Sequence, residues 1–181
     1  STVSVDHVDG AYSAVRHLIE LGHQRIAFIG GDPKTPPIRM MYTGYRRALA
    51  EAGLKCGPEW VCKEVSAMEG GYHAAGYLLD GANPPTAAVC STDQMAIGAI
   101  QAAEERGKRV PEDLSLVGYD DIPMASRIKP PLTTIAQNKH DLGDICARIL
   151  VHEIEAGPGC LHQQTILKPR LVIRRSTVPP A

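Results

Sequence analysis

Apolar residues recur along this chain with two different spacings, and the changes between them predict the secondary structure. Helical spacing on one face predicts five helices, at residues 9–21, 42–52, 69–79, 93–106 and 141–156. Short apolar runs bounded by glycine, proline or polar residues predict strands at residues 25–29, 60–65, 87–90, 114–117, 132–136, 165–167 and 171–173. Strands that alternate with helices indicate an α/β fold with a mainly parallel sheet that helices cover on both faces.

The ends of the predicted helices contain residues that favour helix initiation or termination. Asp9 and Thr92 are placed to cap helices through their side-chain oxygens, and Gly22 and Gly107 follow predicted helices as stops. Residues 1–6 alternate polar and apolar side chains like a strand and begin without Met, so we interpret the start of the chain as the edge of a fragment.

Bulk composition is that of an ordinary globular protein. The chain has 181 residues, of which 44% are hydrophobic and 22% charged, with a net charge of -1. This length suits one well-buried α/β domain, and the near-zero charge gives no basic surface for nucleic acid. No apolar run reaches the length of about 18 residues that a membrane span needs, and the first residues do not resemble an export signal. We therefore expect no direct contact with membranes.

The cysteines indicate a reducing compartment. They are odd in number, scattered, and lack any Cys-x-x-Cys pair; their positions are Cys56, Cys62, Cys90, Cys146 and Cys160. Reduced thiols used as small apolar side chains fit this pattern, so we expect a cytoplasmic location. Cys160 and His162 offer two metal ligands, but structural zinc usually needs four, and we expect neither a metal site nor a cofactor.

Polar residues at the ends of predicted strands are the candidates for ligand contact, because open α/β sheets bind ligands at the carboxyl ends of their strands. Those ends contain mostly acceptors and small hydroxyls, namely Gly30, Gly31, Asp32, Ser66, Ser91, Thr92, Asp93, Tyr119, Asp120, Asp121 and Gln137. Such groups suit a hydroxyl-rich neutral ligand, or one with amines, bound by directed hydrogen bonds.

Two enzyme classes fit the sequence poorly. The first strand–helix junction has only Gly30 and Gly31, followed by Pro33, and no phosphate-binding glycine motif occurs, which argues against a nucleotide-dependent enzyme. A hydrolase would be expected to have a Gly-x-Ser-x-Gly elbow, which is also absent. The adjacent Asp120 and Asp121 point in different directions, so they do not suit a dyad that shares one proton. We expect no enzyme.

Six stretches of the sequence, taken in order, resemble the lactose-repressor (LacI/GalR) family of bacterial transcription regulators and its periplasmic sugar-binding relatives. They lie at residues 17–31, 44–49, 84–89, 92–99, 110–121 and 130–135. Among them are Gly-Tyr-Asp-Asp at residues 118–121 and Pro-Pro-Leu-Thr-Thr-Ile at residues 130–135. The resemblance extends from about residue 3 to residue 176.

This resemblance implies a Rossmann-like three-layer α/β/α fold of the type I periplasmic-binding-protein kind. Residues 25–136 and 161–181 then form the C-terminal, effector-binding lobe, while residues 1–24 and 137–160 belong to a partial N-terminal lobe. The family's helix-turn-helix DNA-binding head precedes this core and is not part of the chain, so operator DNA would be bound only through that head. The helices at 9–21 and 141–156 would then have apolar rows left uncovered, and we expect them to be poorly ordered or packed against another chain.

The resemblance also assigns roles to individual residues. Asp120 matches the acid that binds effector hydroxyls or ring nitrogens, and Gln137 matches another contact in the cleft. Thr92 stands where many members have Asn, and Ser66 where several have a stacking aromatic side chain. Met41 replaces a frequent effector-binding Arg.

Two further assignments concern a substitute for that arginine and the dimer. Arg39 is close enough in sequence to Met41 to replace it only if the backbone there is a loop, because two helical residues are about 200° apart. In the family, segments that match Ile97 and Ile128 contact a second subunit. We therefore predict an effector-sensing domain of a dimeric repressor; the alternative is a free-standing periplasmic sugar-binding protein.

Overall fold

The computed structural model describes residues 1–157 and 160–180 of the chain. Helices and strands alternate along most of it. The strands are β1 (Thr2–Val5), β2 (Ile26–Gly30), β3 (Val61–Lys63), β4 (Ala87–Cys90), β5 (Ser115–Tyr119), β6 (Thr133–Ala136), β7 (Gln164–Leu167) and β8 (Arg170–Val172). The helices are α1 (His7–Glu20), α2 (Pro36–Glu51), α3 (Met68–Leu79), α4 (Asp93–Glu105) and α5 (Lys139–Ala156).

Six of the strands form one sheet in the order β3-β2-β4-β5-β6-β8. All neighbours in it are parallel except β6 and β8. Every residue of β2, β4, β5 and β6 is buried, as expected for parallel strands covered on both faces. The predicted α/β class with a mainly parallel sheet is confirmed.

Two apolar clusters make the fold three-layered, one on each face of this sheet. Residues of α3 and α4 form the first cluster with one face of the sheet. Residues of α1 and α2 form the second with the other face. Glycine lets each helix pair approach closely: a Cβ on Gly44 of α2 would lie 2.1 Å from the carbonyl oxygen of Val8 in α1. On the other face, a Cβ on Gly98 of α4 would lie 1.9 Å from the carbonyl oxygen of Met68 in α3.

A second, two-stranded sheet pairs β1 with β7 in parallel, and α5 contacts β1. The chain passes between the two sheets three times: from β1 into α1, from β6 into α5, and from β7 into β8. The carboxyl-terminal side of β1 is fixed by Asp6, whose carboxylate accepts a 2.9 Å hydrogen bond from the amide of Asp9 and caps α1.

The expectation that the first helix exposes its apolar row is wrong. Ala11, Val15 and Leu18 are at most 1% exposed and pack in the second cluster against the six-stranded sheet. α1 is therefore buried within the unit that residues 25–136 form, and the boundary placed at residue 24 does not coincide with a break in packing. The helix is also ordered, contrary to one of the two expected outcomes.

The matching expectation for the last helix is confirmed as far as burial is concerned. Among the described residues, α5 has none that is buried, and Leu150, Val151 and Ile154 are 59%, 54% and 71% exposed. The predicted apolar row of Leu142, Ile145 and Ile149 is only half-buried. The assignment of α5 to a different lobe remains a proposal.

Candidate functional site

The carboxyl ends of the two sheets face each other. His7, two residues beyond β1, lies with its Nδ1 3.1 Å from the hydroxyl of Tyr119, the last residue of β5. Burial lowers the pKa of His7, which favours the neutral ring at this contact. Sequence reasoning missed His7, although its position directly after a strand was the signal that identified the other candidates.

Asp120 and Gln137, both expected at the ligand site, meet at this edge. The side-chain amide of Gln137 donates a hydrogen bond to the Asp120 carboxylate. The backbone at Asp120 has φ = 111°, in the region that non-glycine residues rarely adopt, and its amide donates to the Ile135 carbonyl at 2.8 Å. Burial raises the pKa of Asp120, while Lys139 and Gln137 oppose that rise.

Asp121 takes no part in this pair. Its carboxylate forms a salt bridge with Arg174 at 2.6 Å. The Arg174 guanidinium also donates a 2.8 Å hydrogen bond to the Leu132 carbonyl. Asp121 therefore ties the β5–β6 region to the segment after β8. This agrees with the expectation that the two adjacent aspartates point in different directions.

A third carboxylate lies beneath the site. Asp93 is fully buried and accepts hydrogen bonds from the Thr134 hydroxyl at 2.5 Å and from the Ile122 amide at 2.8 Å. Burial, aided by the nearby charges of Asp120 and Asp121, raises the pKa of Asp93 to about 6. A Cβ on Gly118 would lie 2.2 Å from Asp93 Oδ1, so glycine in the Gly-Tyr-Asp-Asp stretch makes room for this acid.

Thr92 and Ser66 both lie at strand ends, as predicted, but in different surroundings. The Thr92 hydroxyl accepts a 3.2 Å hydrogen bond from the Met95 amide and caps α4, so the predicted cap is confirmed. Ser66 is exposed and lines a cavity of about 650 Å³ at the ends of β2 and β3. The other lining residues are Asp32, Pro33, Thr35, Lys63, Glu64 and Val65.

This cavity and the Asp120 pair are at opposite ends of one edge. Three strand spacings separate β3 from β5, which places the two centres about 14 Å apart at about 4.8 Å per spacing. Thr92, at the end of β4, lies between them. The arrangement offers hydroxyl, carboxylate and amide groups along a line longer than one sugar ring.

Met41 and Arg39 lie on α2, and one of the two expectations needs correction. Met41 is 4% exposed and packs in the second apolar cluster, so its side chain fills the core and does not line the ligand site. Arg39 is exposed on the same helix. α2 begins at Pro36, so the loop that would let Arg39 take the place of position 41 is absent.

The two residues expected at a subunit contact have different environments. Ile97 of α4 is half-buried. Ile128 is also half-buried, but it packs against the first apolar cluster, which gives it a role in the core of this chain.

Two other kinds of feature do not occur among the described residues. Within residues 1–157 and 160–180, no three His, Cys, Asp or Glu side chains are grouped so that they could hold a metal ion. In the same part of the chain, no helix is both long and apolar enough to span a membrane.

Comparison with known proteins identifies the family. Residues 15–177 match the model of the periplasmic binding protein-like domain. The chain belongs to this family. The match includes all six strands of the main sheet and the last turns of α1, residues 15–20, which pack against that sheet.

Relatives with curated descriptions confirm the resemblance to the lactose-repressor family. The chain is 42% identical over 174 residues to the HTH-type transcriptional repressor PurR of Haemophilus influenzae strain PittEE, covering 94% of the chain and 52% of the relative. It is 38% identical over 167 residues to the ribose operon repressor of Haemophilus influenzae, covering 92% and 50%. The chain thus spans about half the length of these relatives.

A solved structure gives the same result. A LacI family transcriptional regulator from Enterococcus faecium with bound ribose superposes with a TM-score of 0.91 at 34% identity, covering 98% of this chain and 65% of that one. The relatives are repressors, which favours a regulator over the free-standing sugar-binding protein that the sequence left open.

Proposed function

We propose that this chain is the effector-sensing part of a dimeric transcription repressor of the LacI family. The effector is a small hydroxyl-bearing molecule of the sugar class, bound at the carboxyl ends of the strands. In this proposal operator DNA contacts only the helix-turn-helix head that the family places ahead of the core. The observation that supports it best is the Asp120–Gln137 pair, which lies where α/β sheets bind ligands.

The chemistry of this edge suits hydroxyl groups. A carboxylate accepts hydrogen bonds from two ligand hydroxyls at once, and an amide or serine hydroxyl both donates and accepts. Asp120, Gln137, Thr92 and Ser66 supply these groups, and the structure adds His7 to the candidates. The negative potential of Asp120 and Asp93 disfavours an anionic group at that end of the site.

The proposal places the protein in the reducing cytoplasm. All five cysteines are free, and Cys62 and Cys90 are buried. Burial raises the pKa of Cys62 to about 11, so its thiol is protonated and unreactive at neutral pH. Cys62 and Cys90 thus serve as small apolar side chains, which suits a compartment that keeps thiols reduced.

The direct test is calorimetry of the 181-residue chain with D-ribose, other pentoses and hexoses, and a nucleoside. We expect one of them to bind, and Asp120→Ala to weaken that binding by roughly ten- to a hundredfold, because the ligand loses a charged hydrogen bond. Asp141→Asn, which removes an exposed carboxylate on α5, is the matched control and should bind like wild type. Unchanged affinity in Asp120→Ala would remove this residue from the site.

A further inference from the structure

A second, smaller cavity adjoins the cavity at Ser66. It has a volume of about 210 Å³ and lies between α2 and the edge strand β3. Its walls are mainly apolar, and of its eight lining residues only Lys63 is charged. The eight are Phe28, Gly31, Pro33, Ile38, Tyr42, Pro58, Val61 and Lys63. We refer to it as the side pocket.

The regular structure of the chain builds three sides of the side pocket. Phe28 and Val61 are register partners on the parallel strands β2 and β3, so their side chains stand on the same face and form its floor. Ile38 and Tyr42 are one helical turn apart on α2 and form its roof. Pro58, in the short helical turn before β3, closes the outer side.

The aromatic rings on these walls are held in place. The ring centroid of Phe28 lies 5.6 Å from that of Tyr42 and 5.4 Å from that of Tyr45, within the range of favourable aromatic pairs. Tyr45 is fully buried and donates a 2.8 Å hydrogen bond to the Ile26 carbonyl. The side pocket therefore has preformed walls, the condition under which a small apolar cavity binds a ligand with little reorganisation.

The side pocket lies next to the larger cavity, since Pro33 and Lys63 line both. Gly31 lies between them, and a Cβ there would be 2.3 Å from Ser66 Oγ. Because this residue is glycine, no side chain occupies the space between the two cavities at this position. The shared Lys63 places a positive charge on the wall that the two cavities have in common.

We propose that the side pocket binds an apolar six-membered ring whose anionic substituent lies at Lys63. An engineered apolar cavity of about 150 Å³ binds benzene, so 210 Å³ is enough for such a ring. The inference extends the proposed function in one respect: the effector has an apolar ring and an acidic group in addition to its hydroxyls. The acid lies at Lys63, about 14 Å from the negative charge of Asp120 by the strand count above.

Benzoate is the smallest probe that combines the two features, and ligand-observed NMR on the 181-residue chain measures its binding. Acetate has the charge without the ring, and benzyl alcohol has the ring without the charge. We expect benzoate to bind at least roughly tenfold more tightly than acetate, because the ring leaves water for the pocket. Benzyl alcohol should bind, more weakly than benzoate.

Two variants separate the parts of the pocket. Val61→Trp fills the space and should abolish binding of both benzoate and benzyl alcohol. Lys63→Gln should weaken benzoate severalfold and leave benzyl alcohol unchanged. Lys55→Gln, which changes an exposed lysine outside both cavities, should alter neither.

The inference is overturned if benzoate binds no better than acetate, or if folded Val61→Trp binds it as wild type does. Circular dichroism checks that this variant folds; if it does not, Ile38→Phe fills the same space from the helix side. The Lys63→Gln comparison needs no core change, and equal benzoate affinity there also rejects the proposal. If benzoate does not bind but a sugar binds in a way that depends on Asp120, only the side-pocket proposal is rejected. The proposed function then stands.

Discussion

The carboxylate of Asp93 accepts a 2.8 Å hydrogen bond from the backbone amide of Ile122. This bond links the start of α4 to the loop that follows Asp120 and Asp121, and the Thr134 hydroxyl ties the same carboxylate to β6. A buried acid thus connects three of the segments that surround the candidate site. Because it is buried, its charge has a cost, and that cost depends on pH.

We predict that Asp93 makes the chain less stable as pH rises from 4 to 7. The folded pKa is raised to about 6, above the ordinary value of about 3.9, so the folded state binds more protons between these values. The contribution of protonated Asp93 to the free energy of unfolding is complete below about pH 4 and is lost as the pH passes about 6. The total loss is roughly 2–3 kcal/mol. Urea unfolding of wild type and Asp93→Asn at each pH gives the difference.

Asn keeps the shape of Asp93 and cannot ionise, so Asp93→Asn should gain stability relative to wild type as pH rises. Asp141→Asn, at an exposed position, serves as the control and should follow the wild-type curve. A constant difference between wild type and Asp93→Asn across this range would contradict the assignment.

Two glycines in helix interiors should respond to alanine with opposite signs. Gly44→Ala should destabilise the chain by roughly 1–3 kcal/mol, because its Cβ would meet the backbone of α1 at 2.1 Å and the helices must separate. Gly143→Ala on α5 meets nothing within 4 Å and should stabilise by up to about 1 kcal/mol through helix propensity. Thermal unfolding of the two variants checks both signs; a stable Gly44→Ala would show that α1 and α2 are not in close contact.

We predict that Asp120→Gly and Asp120→Ala differ in stability but not in ligand binding. The φ of 111° is strained for any side chain, and glycine removes that strain, so Asp120→Gly should be about 1–2 kcal/mol more stable than Asp120→Ala. Both variants lack the carboxylate and should lose sugar binding equally. Denaturant unfolding and calorimetry on the pair test this, and equal stability would indicate an ordinary backbone conformation at this position.

The proposed dimer is best tested at Ile97 alone. Ile128 packs against the core, so Ile128→Asp would disturb folding, whereas Ile97 is half-buried on α4. If Ile97 lies at a two-fold interface, Ile97→Asp places two like charges against each other and should produce monomers. Sedimentation velocity measures the change. Gln24→Asp, at an exposed position after α1 and away from α4, is the control; dimers that persist in Ile97→Asp would exclude this surface.

Much of the fold followed from residue pattern, because periodicity reports which face of a segment is buried. Thr92 as a cap and the alternation of strands with helices were both predictable. The start of α2 was not: the apolar spacing predicts a helix only from Tyr42, whereas Pro36 and Pro37 form its first turn, where proline is favoured. The helix therefore begins six residues before the predicted Tyr42.

Which face packs against which partner was harder to predict, because it depends on contacts far apart in sequence. The apolar row of α1 indicated burial but not its partner, which is the six-stranded sheet of this chain. Met41 aligned with a ligand-binding position, yet its helix turns it into the core. The sequence placed Asp120 and Gln137 in one site but did not indicate that they contact each other. Only the structure shows the hydrogen bond between them.

Because of that hydrogen bond, a ligand that binds Asp120 through the same oxygen must replace the Gln137 amide as its donor. The carboxylate of Asp120 already has a donor before any ligand arrives, so an incoming hydroxyl that displaces Gln137 gains only the difference between two hydrogen bonds. Ligands that offer a single neutral donor gain little, whereas those that engage the free lone pairs of Asp120 while also satisfying the released amide gain more. Under the proposed function, the Asp120–Gln137 pair thus favours ligands with a donor and an acceptor on adjacent atoms, as neighbouring hydroxyls on a ring provide, over isolated donors of equal strength.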